Sequence, residues 1–347
     1  MSRIKTVCIV SLSSGVLGES FVKHELDLGI KRMEAYGLKV KFAPNALKGM
    51  AYLKKHPELR AADFCAAFRD PEVDLIMTAI GGDDTYRLLP YLFENGELEA
   101  AVRGNEKPFL GFSDTTTNHL MLHKIGLNSF YGQAFLTELC EPASEMLPYS
   151  RRYFEEFIET GRIAEITPSA LWYDERTSFG PEQLGVERLS HPNTGFELLQ
   201  GPAVFRGQIL GGCIDTIFDY FDGGRYADSP AVCEKYGLFP AADEWRGKIL
   251  LLESSEEKPS PETYRKALTH LKNRGVLAAV SGILTGKPMD GAYDAEYREI
   301  LREVVDDPNK PIVRNLSVGH ATPRCIVPFG VEAEVDAQNQ RIRFIWE

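Results

Sequence analysis

The chain has 347 residues, of which 44% are hydrophobic and 26% charged, enough for one large or two medium folded domains and far from a disordered composition. Its formal charge of −11 argues against a nucleic-acid or anionic-membrane partner, because phosphate binding needs a concentrated basic face, and no apolar run approaches membrane-spanning length. The six cysteines are scattered without a C-x-x-C pair and read as buried thiols of a reducing compartment, so a cytoplasmic location is expected.

In chain order, "TVCIV" reads as a first strand, too short to be a signal segment. A helix over 21–36, a strand at "LKVKFA", a helix over 59–68 and a strand in "VDLIMTAIGG" follow, the rhythm of β-α units around a parallel sheet. "RLLPYL" and "KPFLGFS" supply the next helix and strand, and "TTTNHLMLHKIG" a helix stopped by Gly126. Residues 1–165 therefore read as an N-terminal α/β domain. Between 167 and 201 the sequence is rich in aromatics, charges and glycine and shows no sustained period, so 166–200 is expected to be a linker and substrate loop. Strands are expected in "GQILGG", "GKILLLES", "GVLAAVSGILTG" and "KPIVRNLSVGH", with a helix over 261–273. A terminal hairpin pairs "CIVPFGVEAEVDA" with "RIRFIW" through Gln338 and Asn339, making 201–347 a C-terminal α/β domain. The expected fold class is α/β: an N-terminal doubly wound, mostly parallel sheet domain, then a C-terminal α/β domain ending in a β-hairpin.

The stretch "GFSDTTTNHL" places Ser113 where an apolar strand stops and a helix begins, the context of a nucleophile elbow, although the residue two further on is Thr115 and not glycine. Ser113 or Asp114 would equally serve as the helix cap. Gly81 and Gly82 end another strand, where open α/β sheets place their sites, and let backbone N–H groups approach a ligand; a tight turn would need them too. "SLSSGVLG" is a similar, weaker glycine loop. His119 and His123 stand four apart on a helix but lack completing ligands, so no metal is expected. Glu253 closes the apolar run "KILLLE" and His320 lies between Gly319 and Ala321 at the end of another. With Ser113 they make a set suited to acyl transfer, in which the histidine takes the hydroxyl proton and the carboxylate fixes its tautomer.

Taken together, "GGDDTYRLLPYL", "GFSDTT", "ILLLESSEE" and "GHATPRCIVPFGVEAEVD" resemble the successive signatures of the LD-carboxypeptidase family of serine peptidases, which includes muramoyl-tetrapeptide carboxypeptidases and microcin C immunity peptidases. The resemblance implies Ser113 as nucleophile, His320 as general base and acid, and Glu253 as its orienter. It also implies an oxyanion hole from the N–H of Asp114 and of Gly81 or Gly82, no cofactor and a homodimer. "LWYDERTSF" resembles a substrate-loop signature of the microcin immunity branch through Trp172, Asp174 and Glu175, with Phe179 where that branch has a second tryptophan. The implied substrate is a small peptide, a muropeptide or an aminoacyl nucleotide. A small-molecule binding protein of the same fold, without turnover, is the competing reading.

Overall fold

The computed structural model describes residues 3–346. Its strands are β1 (Thr6–Val10), β2 (Lys39–Phe42), β3 (Leu75–Thr78), β4 (Phe109–Gly111), β5 (Ser129–Tyr131), β6 (Glu165–Ile166), β7 (Leu171–Tyr173), β8 (Ser190–Pro192), β9 (Glu197–Gln200), β10 (Val204–Cys213), β11 (Ile249–Glu253), β12 (Gly282–Gly286), β13 (Ile312–Leu316), β14 (Val327–Phe329), β15 (Glu332–Asp336) and β16 (Arg341–Ile345). A six-stranded sheet runs in the order β14-β5-β4-β3-β1-β2 and an eight-stranded sheet in the order β6-β16-β15-β10-β11-β12-β13-β9.

Strands β1 to β5 of the first sheet are parallel. β1, β3, β4 and β5 are buried at every position, as continuous apolar runs must be when helices cover both faces. In the second sheet β10 to β13 are parallel, with antiparallel strands at both margins. The two sheets share one apolar core, reaching from Ile9, Ile76 and Leu110 to Leu250, Ile283 and Val313. Pro261–Asn273 is the helix read from the sequence: Ser260 accepts the Thr263 N–H at 3.2 Å, proline occupies the first turn, and His270 and Lys272 lie in the last. Among the described residues no helix is long and apolar enough to cross a membrane.

The stretch 166–200 holds a short antiparallel ribbon, β7 with β8, and β9, which pairs with β13; strands of three or four residues carry too few alternations to show a period. The span between β7 and β8 is irregular apart from a turn at Pro181–Gln183. Two expectations need correction. In "GVLAAVSGILTG" only Gly282–Gly286 is strand, and Val276–Ala279 is a helical turn. The terminal hairpin consists of β15 and β16 alone. The "VPF" preceding it is β14, which pairs with β5 and completes the first sheet. Pro328 is tolerated there because β14 is an edge strand.

Candidate active site

β4 ends at Gly111, Phe112 is extended, and Ser113 adopts φ 65° before the chain turns into the helix Thr116–Lys124. A left-handed serine costs roughly 1–3 kcal/mol and persists only where its surroundings hold it. Here the Ser113 N–H donates to the Tyr131 hydroxyl at 3.1 Å, and Thr116 Oγ1 donates to the Ser113 carbonyl at 2.7 Å. Gly81 makes the room, since a Cβ there would lie 2.7 Å from Ser113 Oγ. A Cβ at Gly82 would overlap Ser13 Oγ. Neither Ser113 nor Asp114 caps the helix with its side chain. The buried Asp114 carboxylate instead accepts from Ser13 Oγ at 2.6 Å, Thr85 Oγ1 at 2.6 Å and Thr85 N at 2.9 Å, tying the serine turn to the two glycine loops. Burial raises the pKa of Asp114 and those donors oppose the rise.

The serine turn faces residues from the second sheet. His320 Nε2 lies 3.0 Å from Ser113 Oγ, and His320 Nδ1 lies 2.7 Å from Glu253 Oε2, at the end of β11. The same oxygen accepts the His320 backbone N–H at 3.1 Å, while Glu253 Oε1 accepts the Tyr131 hydroxyl at 2.5 Å. Gly319, at φ 83°, is the hinge of this approach, because a Cβ would overlap the Glu253 carboxylate. Arg324, paired at 2.8 Å with buried Glu138, donates to the His320 carbonyl at 2.9 Å and fixes the segment from behind. Burial alone would push the His320 pKa down. The Glu253 carboxylate, and Glu256 with its Oε2 3.0 Å from Nε2, outweigh burial and raise it to about 10.

The sequence thus names three residues that the fold brings into one hydrogen-bonded line. The N–H groups of Gly82 and Asp114 make no backbone hydrogen bond among the described residues. A cavity of about 360 Å³ opens beside Ser113, lined among others by Gly82, Asp83, Asp215, Arg225 and Glu256. Trp172, Asp174, Glu175 and Phe179 do not line it. Trp172 stacks on His191 at 4.3 Å, Asp174 accepts from or pairs with His191 at 2.8 Å, and Glu175 pairs with Arg188 at 3.0 Å. The Phe179 ring is exposed beside Phe21 and Pro181. The ribbon still reaches the histidine segment, because Tyr173 bridges to Thr322.

Cys213, Glu253 and His320 bring ligand-type atoms within 4.8 Å of one another. Burial, then the charges of Glu253 and Asp215, push the Cys213 thiol well above its ordinary value, so it stays a neutral thiol and a poor metal ligand. His119 is a core residue held by Ser129 Oγ at 2.7 Å and the Gly111 carbonyl at 3.1 Å, with burial lowering its pKa to about 3. Among the described residues it shares no ligand set with His123.

Sequence reasoning missed Tyr131, which links Glu253 to the serine backbone, and Glu256. "NSFYG" marks Tyr131 only as a strand residue, whereas "ESSEE" displays two further acids without showing which turns inward. Tyr131→Phe is expected to lower stability by about 1–3 kcal/mol, because it strands Glu253 Oε1 and the Ser113 N–H in a buried setting. Denaturant unfolding measures the loss, and an unchanged midpoint at unchanged slope would show that the hydroxyl does not serve this bridge.

Residues 7–132 match the LD-carboxypeptidase N-terminal domain and residues 206–335 the LD-carboxypeptidase C-terminal domain. The chain belongs to the LD-carboxypeptidase family of peptidases. It is similar to the microcin C7 self-immunity protein MccF of Escherichia coli, at 26% identity over 92% of this chain and 88% of that one. It is also similar to the "Probable murein peptide carboxypeptidase" of Bacillus subtilis, at 25% identity over 90% and 84%. Among solved structures, an MccF-like protein from Streptococcus pneumoniae in complex with AMP superposes with a TM-score of 0.97 at 59% identity, covering 99% of both chains.

Proposed function

We propose that the protein is a serine peptidase that cleaves an amide bond through an acyl-enzyme. The observation that carries this is the line from Ser113 Oγ through both nitrogens of His320 to Glu253, at 3.0 and 2.7 Å. Ser113 Oγ attacks the substrate carbonyl as its proton passes to His320 Nε2, and Glu253 holds the tautomer that leaves Nε2 free to receive it. The N–H groups of Asp114 and Gly82 receive the developing oxyanion. His320 then protonates the departing amine, the C–N bond breaks, and a water activated by the same nitrogen releases the acyl group.

For the substrate, an aminoacyl-nucleotide-like amide is favoured over a muropeptide. Its support is the 59% identical relative described in complex with AMP, together with the immunity protein among the relatives. Side-by-side assays on an aminoacyl-sulfamoyl adenosine and an LD-linked muropeptide test it. Release of free amino acid from the first is expected, and turnover of the muropeptide alone would overturn the nucleotide reading.

A further inference from the structure

Glu256 follows Glu253 by three residues and reaches the His320 ring. Its Oε2 lies 3.0 Å from His320 Nε2, the nitrogen that Ser113 Oγ also faces at 3.0 Å. An imidazole nitrogen donates when protonated and accepts when not. A carboxylate this close to Nε2 therefore favours the doubly protonated ring, the form of His320 that cannot take the serine proton. The arrangement is a resting one, with Nδ1 on Glu253, Nε2 on Ser113 Oγ and the Glu256 carboxylate beside Nε2 as an ion pair.

Glu256 is free to leave. Its side chain is 61% exposed, and among the described residues it makes no ion pair except with His320. The neighbouring His320 ring holds its carboxyl at about 2, so it remains ionised. The cleft around it is acidic, with Asp83, Asp215 and Glu257 also on its wall. Arg225 is already engaged by Asp219 at 3.0 Å and Glu257 at 2.8 Å. The charged groups facing the His320 ring are Glu253 and Glu256, with Asp215 further off; Arg324 meets only its carbonyl.

An ammonium on the carbon next to the attacked carbonyl would arrive beside Ser113, within reach of this carboxylate. Resting on the acyl-transfer reading above, we infer that Glu256 is a specificity-determining residue: it binds the free α-ammonium of an aminoacyl substrate and, in doing so, lets His320 give up the Nε2 proton and serve as base toward Ser113. The Nε2 proton passes to solvent as the carboxylate changes partner. The site then discriminates between aminoacyl groups, which carry that ammonium, and peptidyl or N-acylated groups, which do not.

The test compares alanyl-sulfamoyl adenosine with its N-acetyl form on the wild type and on Glu256→Gln. The wild type is expected to favour the free amine by roughly 10–100-fold in kcat/KM, the range of one charge-assisted hydrogen bond. In Glu256→Gln the preference falls to about threefold or less, and the acid limb of the pH profile moves to lower pH because His320 has lost one of its two carboxylates. A merely structural Glu256 would move neither quantity, and a variant with preference and acid limb both unchanged overturns the inference, as does a wild type indifferent to acetylation. Failure of the acyl-transfer reading itself shows differently, as turnover that survives Ser113→Ala.

Discussion

Ser113→Ala is expected to abolish turnover and leave the fold intact. Loss of a serine nucleophile typically costs on the order of 10⁶ in kcat, and among the described residues no other hydroxyl stands at the end of the His320–Glu253 line. The structural cost is small because the Ser113 Oγ hydrogen bond is to His320 and not to the core, while alanine meets the same φ of 65° with the same strain as serine. Steady-state assays with matched thermal melts check both halves. Retention of more than a tenth of wild-type turnover would remove Ser113 from the nucleophile's role.

Glu253→Gln is expected to be milder, with a loss of about 10⁴. The carboxylate accepts from His320 Nδ1, from the His320 backbone and from the Tyr131 hydroxyl. An amide has only one acceptor oxygen for these donors. If its NH₂ faces the ring, Nδ1 becomes the acceptor, the proton sits on Nε2 and the base is lost. The substitution also changes how stability depends on pH. The wild-type His320 pKa of about 10 lies above its ordinary 6.5, so its contribution is complete below about 6.5 and is lost as pH rises through about 10. Melting temperatures between those values should fall more steeply for the wild type than for Glu253→Gln. A silent variant, in rate and in pH dependence, would assign the orienting role to another carboxylate.

The parts of the architecture visible in the sequence are those whose cause is local. A parallel strand buried on both faces must be an apolar run, and its end is marked by the first polar residue, which is how Ser113 and Glu253 stand out in the order of amino acids alone; His320 lies four residues beyond β13, which itself carries Arg314 and Asn315. The helix Pro261–Asn273 is equally local, since serine and proline open it and basic residues close it. What escaped depends on partners far along the chain. Phe130 faces Pro328 across the β5–β14 pair, nearly two hundred positions away, and no local pattern in "CIVPFG" names that partner. Glu256 escaped for another reason. Hydrophilic and exposed by composition, it is distinguished from Glu257 only by the direction of one loop, which leaves Glu257 on Arg225. The aromatic and acidic cluster around Trp172 is conspicuous in the sequence, but its charges are paired nearby with His191 and Arg188.

The return of β14 to the first sheet bears on how such chains can be recombined. A crossover between relatives placed in the stretch after β6 would look safe, because few strands of the first sheet lie beyond it. It would nonetheless separate β5 from its edge partner Val327–Phe329, and Phe329 stacks at 5.2 Å on Tyr131, the residue that joins the Ser113 backbone to Glu253. Trp346 likewise packs on Phe130. A chimera that inherits its first half from one parent must therefore inherit β14 and the chain's end from the same parent, or carry matching side chains at those contacts. The unit of exchange in this architecture is discontinuous, and its last segment lies on the far side of the histidine.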